Sequence, residues 1–260
     1  MMPDAREVVD RFFAIRLGIS VEDIKPGQVA VAASDRRTFA ERGHGFIRLL
    51  WIVHFGDRAA VSVHPAALAE VSRLAWKRTP DQLMSDDFHL RAADALEAAL
   101  PGASLNSAGH SVVFCHPGDA APIPTHGDVR TLTVAAQALW AGKRVYPHAV
   151  AHPAVERGEA FGLFLDDKLI AEIITHEPSV AEMANLVAED GIEVAEDYRG
   201  CGHGKALLAA WTCEMQARGR VCIHSTSPGN AASIALAQSV GYVEHARTRA
   251  VTHTSPEQQP

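Results

Sequence analysis

The chain has 260 residues, of which 47% are hydrophobic and 21% charged, with a formal net charge of −7 when the histidines are neutral. This composition indicates a globular protein of one large or two small domains, and without a longer basic cluster than Arg36-Arg37 we expect no nucleic-acid partner. No window approaches the roughly 18 consecutive apolar residues of a membrane span, and the acidic N-terminus is unlike a signal peptide, so we expect a cytoplasmic protein without membrane association.

The first 120 residues alternate helical and strand patterns. Apolar side chains at helical spacing, a break at Pro26-Gly27 and a turn signal at Gly56-Asp57 delimit the elements. In order, they are a helix over 4–19, strands over 28–33, 46–55 and 59–63, helices over 65–76 and 79–100, and a strand over 110–115. This order predicts an α/β region of unknown role.

A segment rich in proline follows this region. Residues 116–125 contain three prolines and a glycine, which can continue neither a helix nor a central strand. We therefore predict one domain over residues 1–120 and a second over 121–250. The polar tail, residues 251–260, is expected to be disordered.

The second part begins with a predicted helix over Val129–Trp140 and then shows strand patterns. Asp166-Asp167-Lys168 is a compact turn between two apolar runs and indicates a β-hairpin. The further expected elements are strands over 160–165 and 169–175, a stretch over 183–187 that pairs beside them, a central strand at Ile192, a helix over 205–218, a strand over 221–226 and a helix from Asn230.

Gly191 to Leu208 combines a strand, a glycine-rich turn and the start of a helix. Glycines lack Cβ atoms where a backbone must approach a ligand, and the free amides at a helix start attract anions. Arg199 and Lys205 would add positive charge, so the turn suits a pyrophosphate. It is not a P-loop because Ala206 follows the lysine, and its glycine spacing differs from a dinucleotide-binding fingerprint.

Two segments together resemble one family. Arg199-x-x-Gly202-x-Gly204 after a strand resembles the acetyl-CoA-binding motif of the GNAT superfamily of N-acetyltransferases, and residues 230–242, from Asn to Gly-Tyr, resemble that superfamily's next motif. The resemblance covers about residues 128–246. It implies an α/β fold with a mixed, mostly antiparallel sheet flanked by helices. The N-terminal α/β region is additional, and we consider it a candidate degenerate second copy of the same fold.

The resemblance implies direct transfer of an acetyl group from acetyl-CoA, as co-substrate, to a primary amine of a small molecule or peptide. The main chain of the central strand would bind the pantetheine arm, the glycine turn the pyrophosphate, and the start of the last helix would lie near the cofactor. The residues concerned are Ile192, Val194 and Ala195; Arg199, Gly200, Cys201, Gly202, His203, Gly204 and Lys205; and Asn230 and Ser233.

Such a transfer needs a base for the ammonium form of the amine and an acid for the departing thiolate. The family's usual acid is a tyrosine at the position of Ala237, and Tyr242 belongs to the position that packs the core. The proton therefore comes from water or another residue, or the protein binds acetyl-CoA without efficient catalysis. The alternative function is a non-catalytic acyl-CoA-binding sensor or regulatory module.

Two residues are candidates for catalysis. Glu193 lies on the central strand, although its side chain alternates to the face opposite Ile192 and Val194, where an exposed glutamate is the competing interpretation. His224 lies near the end of the strand before Asn230 and has a side chain suited to proton transfer at neutral pH. A structural histidine is the competing interpretation there. Glu189 is a weaker third candidate.

Neither the cysteines nor the histidines indicate a metal site. Four cysteines show no C-x-x-C spacing and are expected to be free thiols. His148 and His152 are four residues apart, but the adjacent Pro147 and Pro153 disfavour a helix, and no acidic partner lies between them. We predict no metal.

Overall fold

The computed structural model describes residues 4–40, 46–141, 153–176 and 180–254. The helices in these ranges are α1 Ala5–Leu17, α2 Leu68–Ala75, α3 Pro80–Leu83, α4 Asp86–Ala99, α5 Pro153–Glu156, α6 His203–Ala217 and α7 Ala231–Val240. The strands are β1 Val29–Ala33, β2 Ile47–His54, β3 Ala59–Val63, β4 Leu105–Cys115, β5 Asp128–Thr131, β6 Ala160–Leu165, β7 Lys168–Thr175, β8 Val187–Val194, β9 Val221–Thr226 and β10 Val243–His253.

The strands form one ten-stranded sheet in the order β1-β3-β2-β10-β4-β9-β8-β7-β6-β5. The pairs β1–β3 and β8–β9 are parallel, and the other neighbours are antiparallel. The predicted α/β class with a mixed, mostly antiparallel sheet is therefore confirmed, as is the additional N-terminal α/β region. That this region is a degenerate second copy stays a prediction.

The last strand lies among strands of the N-terminal region. β10 pairs with β2 on one side and with β4 on the other, and β4 also pairs with β9. Strands from both sides of the proline-rich segment thus share one sheet. The division into domains over 1–120 and 121–250 stays a prediction.

Helices cover both faces of the sheet. Strand residues alternate between faces, and in β4 Val113 and Cys115 pack with α1, whereas Val112 and Phe114 pack with α6. α2 and α4 cover the N-terminal strands on the same side as α6. α1 thus covers the face of the sheet opposite α6.

Two sequence predictions about local structure are wrong. Residues 129–140 are not a helix but contain β5 and a 3₁₀ turn at Ala135–Leu139, because pairing with β6 outweighs the helix propensity of the alanines. Ala181–Met183 is a 3₁₀ turn, and the central strand begins at Val187.

The tail, predicted to be disordered over residues 251–260, is described only in part. Residues 251–253 belong to β10 because they pair with strands on both sides, and residues 255–260 lie outside the described part of the chain. The helix expected over 79–100 is two helices, with Ser85 capping the second through its bond from Phe88 N. No helix in the described part of the chain is long and apolar enough to cross a membrane.

Candidate active site

The sheet opens between β8 and β9. Their parallel pairing runs from Val187 and Val221 to Glu189 and Ile223. Beyond this point β8 continues to Val194 along β7, while β9 continues to Thr226 along β4. The two strands therefore diverge, and we call the opening between them the strand cleft.

The main chain of β8 faces the strand cleft at alternate residues. The Glu189 carbonyl accepts from His176 N at 2.8 Å, and Ala195 N donates to the Ile170 carbonyl at 2.9 Å, so these odd-numbered residues bond toward β7 and its end. Bonding alternates from residue to residue in an antiparallel ladder. The peptide groups of residues 190, 192 and 194 consequently point away from β7, into the strand cleft.

Among the predicted cofactor residues of β8, Ile192 and Val194 thus present main-chain groups to the strand cleft. The Val194 carbonyl already accepts from Arg199 Nε at 2.9 Å, which leaves its amide. Ala195 differs, because its amide is bonded to β7 and its side chain is buried.

The glycine turn, Arg199 to Lys205, leads from β8 into α6. Gly200 and Gly202 have φ of +76° and +84°, a conformation that disfavours other residues, and a Cβ on either would meet no atom within 4 Å. Gly202 precedes the first residue of α6, and no side chain in the described ranges caps this end. The first amides of this fifteen-residue helix therefore lack a side-chain cap from the described residues.

Gly204 has a different reason to be glycine. A Cβ there would lie 3.2 Å from Val194 Cγ2 and 3.7 Å from Leu236 Cδ1. The absence of a side chain lets the start of α6 approach both β8 and α7. The glycine turn and the start of α7 consequently border the same strand cleft.

The other predicted cofactor residues lie around this opening. Lys205 is half-buried in the first turn of α6, and Cys201 is exposed. The His203 ring lies 6.4 Å from that of Tyr198, and its Nδ1 is buried with no hydrogen bond inside the described residues. Asn230 caps α7 by accepting from Ser233 N at 3.1 Å.

Three polar side chains form a hydrogen-bonded chain where the strands begin to diverge. His224 Nδ1 lies 2.9 Å from both carboxylate oxygens of Asp190, and its Nε2 lies 2.7 Å from Ser233 Oγ. Asp190 is 5% exposed and His224 3% exposed. Burial by itself would lower the pKa of His224, but the charge and hydrogen bond of Asp190 outweigh it and raise that pKa above its ordinary value.

The two predicted catalytic residues lie on opposite faces of the sheet. His224 points to the α6 and α7 face, whereas Glu193 alternates to the other face, opposite Glu172 of β7. Glu189 shares the face of Glu193 and lines a cavity of about 370 Å³. This α1 cavity is also lined by Phe13, Trp51, His110, Ile223 and Ser225.

Sequence reasoning missed Asp190. It lies 34 residues from His224, so no local spacing connects them. A signal was nevertheless present, because residues 188, 192 and 194 on the same face are apolar and a buried carboxylate among them needs a partner.

Ala237 is fully buried, and the Tyr242 hydroxyl lies 2.7 Å from Thr212 Oγ1 in the core, as expected of a packing residue. The four cysteines are free. In the ranges that the structure describes, no group of three His, Cys, Asp or Glu side chains could hold a metal ion.

Comparison with known proteins identifies the class. The sequence model of the acetyltransferase (GNAT) family matches residues 135–242, while no curated protein matches the chain. The strand cleft and the glycine turn both lie within that match. The matched residues make up less than half of the chain, and over them the chain is similar to GNAT acetyltransferases.

Solved structures give weaker likenesses. A protein assigned to the GNAT family from Novosphingobium aromaticivorans DSM 12444 is 23% identical over 60% of this chain and 69% of that chain, with a TM-score of 0.47. An acetyltransferase of the GNAT family from Colwellia psychrerythraea is 21% identical over 61% and 60%, with a TM-score of 0.46. A Salmonella typhimurium protein solved with acetyl-CoA is 14% identical over 52% and 98%, with a TM-score of 0.36.

Proposed function

We propose that the protein transfers an acetyl group from acetyl-CoA to the nitrogen of a primary amine on a small molecule or peptide. The observation that carries this proposal is the uncapped start of α6 at the glycine turn, beside a strand whose peptide groups face an open cleft. Helix amides and the helix dipole bind phosphate groups well. The match of residues 135–242 to the GNAT family supports the same assignment.

The residues present fit acetyl-CoA. The amides after Gly202, with Arg199 and Lys205, hold the pyrophosphate, and the open space beside Gly200 and Gly202 admits it. Peptide groups of β8 at Ile192 and Val194 hold the pantetheine arm. The His203 Nδ1 that is buried without a partner is a further polar atom for the ligand. Acetyl-CoA supplies the acetyl group as a thioester.

The acceptor amine approaches from the α1 side of the sheet. The α1 cavity lies on this side, and Glu193 and Glu189 project from β8 on the same face. A carboxylate there takes the proton that the ammonium form must lose, directly or through water. Glu193 is the proposed base, and His224 on the opposite face is the proposed group for proton transfer near the thiol.

Binding and turnover are measured together. Titration calorimetry compares CoA with pantetheine, which lacks the diphosphate, and thiol release is followed with acetyl-CoA and a panel of small and peptide amines. We expect saturable CoA binding much tighter than pantetheine binding, and thiol release that depends on an amine. Equal affinities would contradict the pyrophosphate site. Binding without thiol release across the panel would instead favour the acyl-CoA sensor.

A further inference from the structure

The hydrogen-bonded chain of Asp190, His224 and Ser233 has a position that the proposed function leaves unexplained. Asp190 and His224 are the first residues of β8 and β9 beyond their last paired residues, and Ser233 lies in the first turn of α7. All three therefore border the strand cleft from the α7 side. Buried charged groups are rarely retained without paired partners, and here each group has one.

The direction of the hydrogen bonds determines which atoms of the three side chains can exchange a proton. Asp190 accepts from His224 Nδ1–H with both oxygens, so Nε2 is the atom that exchanges a proton with Ser233 Oγ. Ser233 is half-buried, whereas the other two side chains are covered. The hydroxyl of Ser233 is consequently the end of the chain that a ligand in the strand cleft can reach. Ala237, one turn further along α7, offers no proton donor.

We propose that Ser233 Oγ donates the proton that the departing CoA thiolate needs and is reprotonated by His224, which Asp190 positions. This inference rests on the proposed function. Ser233 is a catalytic residue in it, and Asp190 is a positioning residue.

The proton and electron count of the step balances. The amine nitrogen bonds to the acetyl carbon as the bond from that carbon to sulfur breaks and its electron pair passes to sulfur. The nitrogen loses one proton to solvent, which leaves a neutral amide. Ser233 Oγ–H gives its proton to sulfur while Oγ takes the proton from Nε2 of the imidazolium of His224. His224 is left neutral with Nδ1–H on Asp190 and recovers a proton from solvent.

The same three residue types serve elsewhere as a nucleophile, base and orienting acid. Here the amide of Ser233 is bonded to Asn230 Oδ1 at 3.1 Å. An amide next to a serine nucleophile would instead need to face the developing oxyanion. The local geometry therefore favours proton transfer over an acetyl-serine.

The groups that face His224 determine how readily its ring takes up a proton. Asp190 faces it from β8, Phe114 from β4 at a ring distance of 6.5 Å, and Tyr242 from the end of α7 at 6.3 Å. Glu189 acts at longer range from the other face of β8 and also raises the pKa of His224. Burial raises the pKa of Tyr242 well above its ordinary value, so this hydroxyl stays neutral.

The first test is turnover of Ser233→Ala against Ser239→Ala. Ser239 lies on the same helix and is exposed. In the described chain, its hydroxyl makes one hydrogen bond, which it donates to the Leu236 carbonyl. We expect Ser233→Ala to lose about 100-fold in kcat with CoA affinity within about threefold, as for removal of a general acid. Ser239→Ala should keep the wild-type kcat. An unchanged kcat in Ser233→Ala would overturn the proposal.

The second test does not depend on turnover. Ultraviolet absorbance of the thiolate in bound CoA gives the thiol pKa, which a hydroxyl donor lowers. We expect this pKa to be about one unit higher in Ser233→Ala than in wild type, and equal values would overturn the proposal. Mass spectrometry after acetyl-CoA alone is added provides a further check, because acetyl on Ser233 would overturn the relay in favour of a nucleophile.

The third test concerns Asp190→Asn. Removing the carboxylate lowers the pKa of His224, so the decline of kcat with rising pH should move to lower pH. NMR titration of the His224 ring in the free protein should show the same direction. A lower kcat with an unmoved pH profile and ring titration would mark Asp190 as merely structural and overturn its assignment. Loss of CoA binding in wild type would instead refute the proposed function itself.

Discussion

At the scale of single residues, the glycine turn combines a positive-φ backbone conformation with the proposed pyrophosphate site. Gly202 precedes the first residue of α6 and Gly219 follows its end, with φ of +84° and +78°. A Cβ on either would meet nothing within 4 Å in the described chain. An alanine at either position is therefore strained but not obstructed. The two glycines differ in their location, since only the first lies at the proposed pyrophosphate site.

Because the two glycines have similar backbone conformations, their alanine variants form a matched pair. Gly202→Ala and Gly219→Ala should each lower the free energy of unfolding by about 1–2 kcal/mol, because each places a side chain in the left-handed region. Only Gly202→Ala should also weaken CoA binding, by about tenfold or more. Chemical denaturation and calorimetry measure the two effects. Equal CoA affinity in the two variants would show that the start of α6 does not hold the ligand.

The residue scale also shows what sequence reasoning reached and what it missed. The glycine turn was predictable because closely spaced glycines, the residues that tolerate positive φ, are visible in the sequence itself. His224 and Ser233 were named as candidates, but for separate roles. Their connection through Asp190 was not predictable, because a side-chain bond across 34 residues has no local spacing.

At the scale of elements, α1 lines the cavity proposed for the acceptor although it lies outside the family match. It covers the face of the sheet opposite α6, and Phe13 lines the α1 cavity with its ring 5.7 Å from that of Trp51. Phe12 is equally buried, at 2% exposed, but is not among the residues lining the cavity. The N-terminal region consequently shapes the space proposed for the acceptor.

Phe12 and Phe13 separate packing from acceptor binding. Phe12→Leu and Phe13→Leu should each lower the free energy of unfolding by about 1–2 kcal/mol, a common loss for a smaller side chain in a core. Only Phe13→Leu enlarges the α1 cavity, so only it should change the KM for the acceptor amine, by roughly three- to tenfold. Neither should alter CoA affinity. Equal changes in KM would indicate an acceptor site elsewhere.

Element prediction failed where pairing partners decided the outcome. Residues 129–131 were predicted as the start of a helix, yet they belong to the edge strand β5, which pairs with β6. The hairpin of β6 and β7 was predicted correctly, because its turn and alternating side chains are local features. Leu132, just after β5, is buried at 1% exposed, which ties this edge to the core.

At the scale of the whole molecule, β10 joins the two parts of the chain. It lies between β2 and β4, and β4 lies against β9. Asp10 of α1 adds a side-chain link, with Arg58 Nη2 at 2.5 Å and His245 Nε2 of β10 at 3.0 Å. Separating the parts would expose strand edges and core on both sides.

We therefore expect one cooperative unfolding transition despite the proline-rich segment at 116–125. Amide hydrogen exchange in β2 and in β9 should report the same free energy of opening, since neither strand can leave without disrupting the shared sheet. Exchange under increasing denaturant measures both strands in one sample. Clearly different values for the two strands would support the division into separate domains at that segment.

The amino-acid sequence by itself determined the α/β class, the hairpin of β6 and β7, and the glycine turn that starts α6. These follow from neighbouring residues, whose φ preferences, alternation and helical spacing act within a few positions. Only the tertiary structure decided the place of β10, the strand character of β5 and the meeting of Asp190, His224 and Ser233. Those depend on which distant segments pair, and the diverging ends of β8 and β9 bring the three side chains to one point.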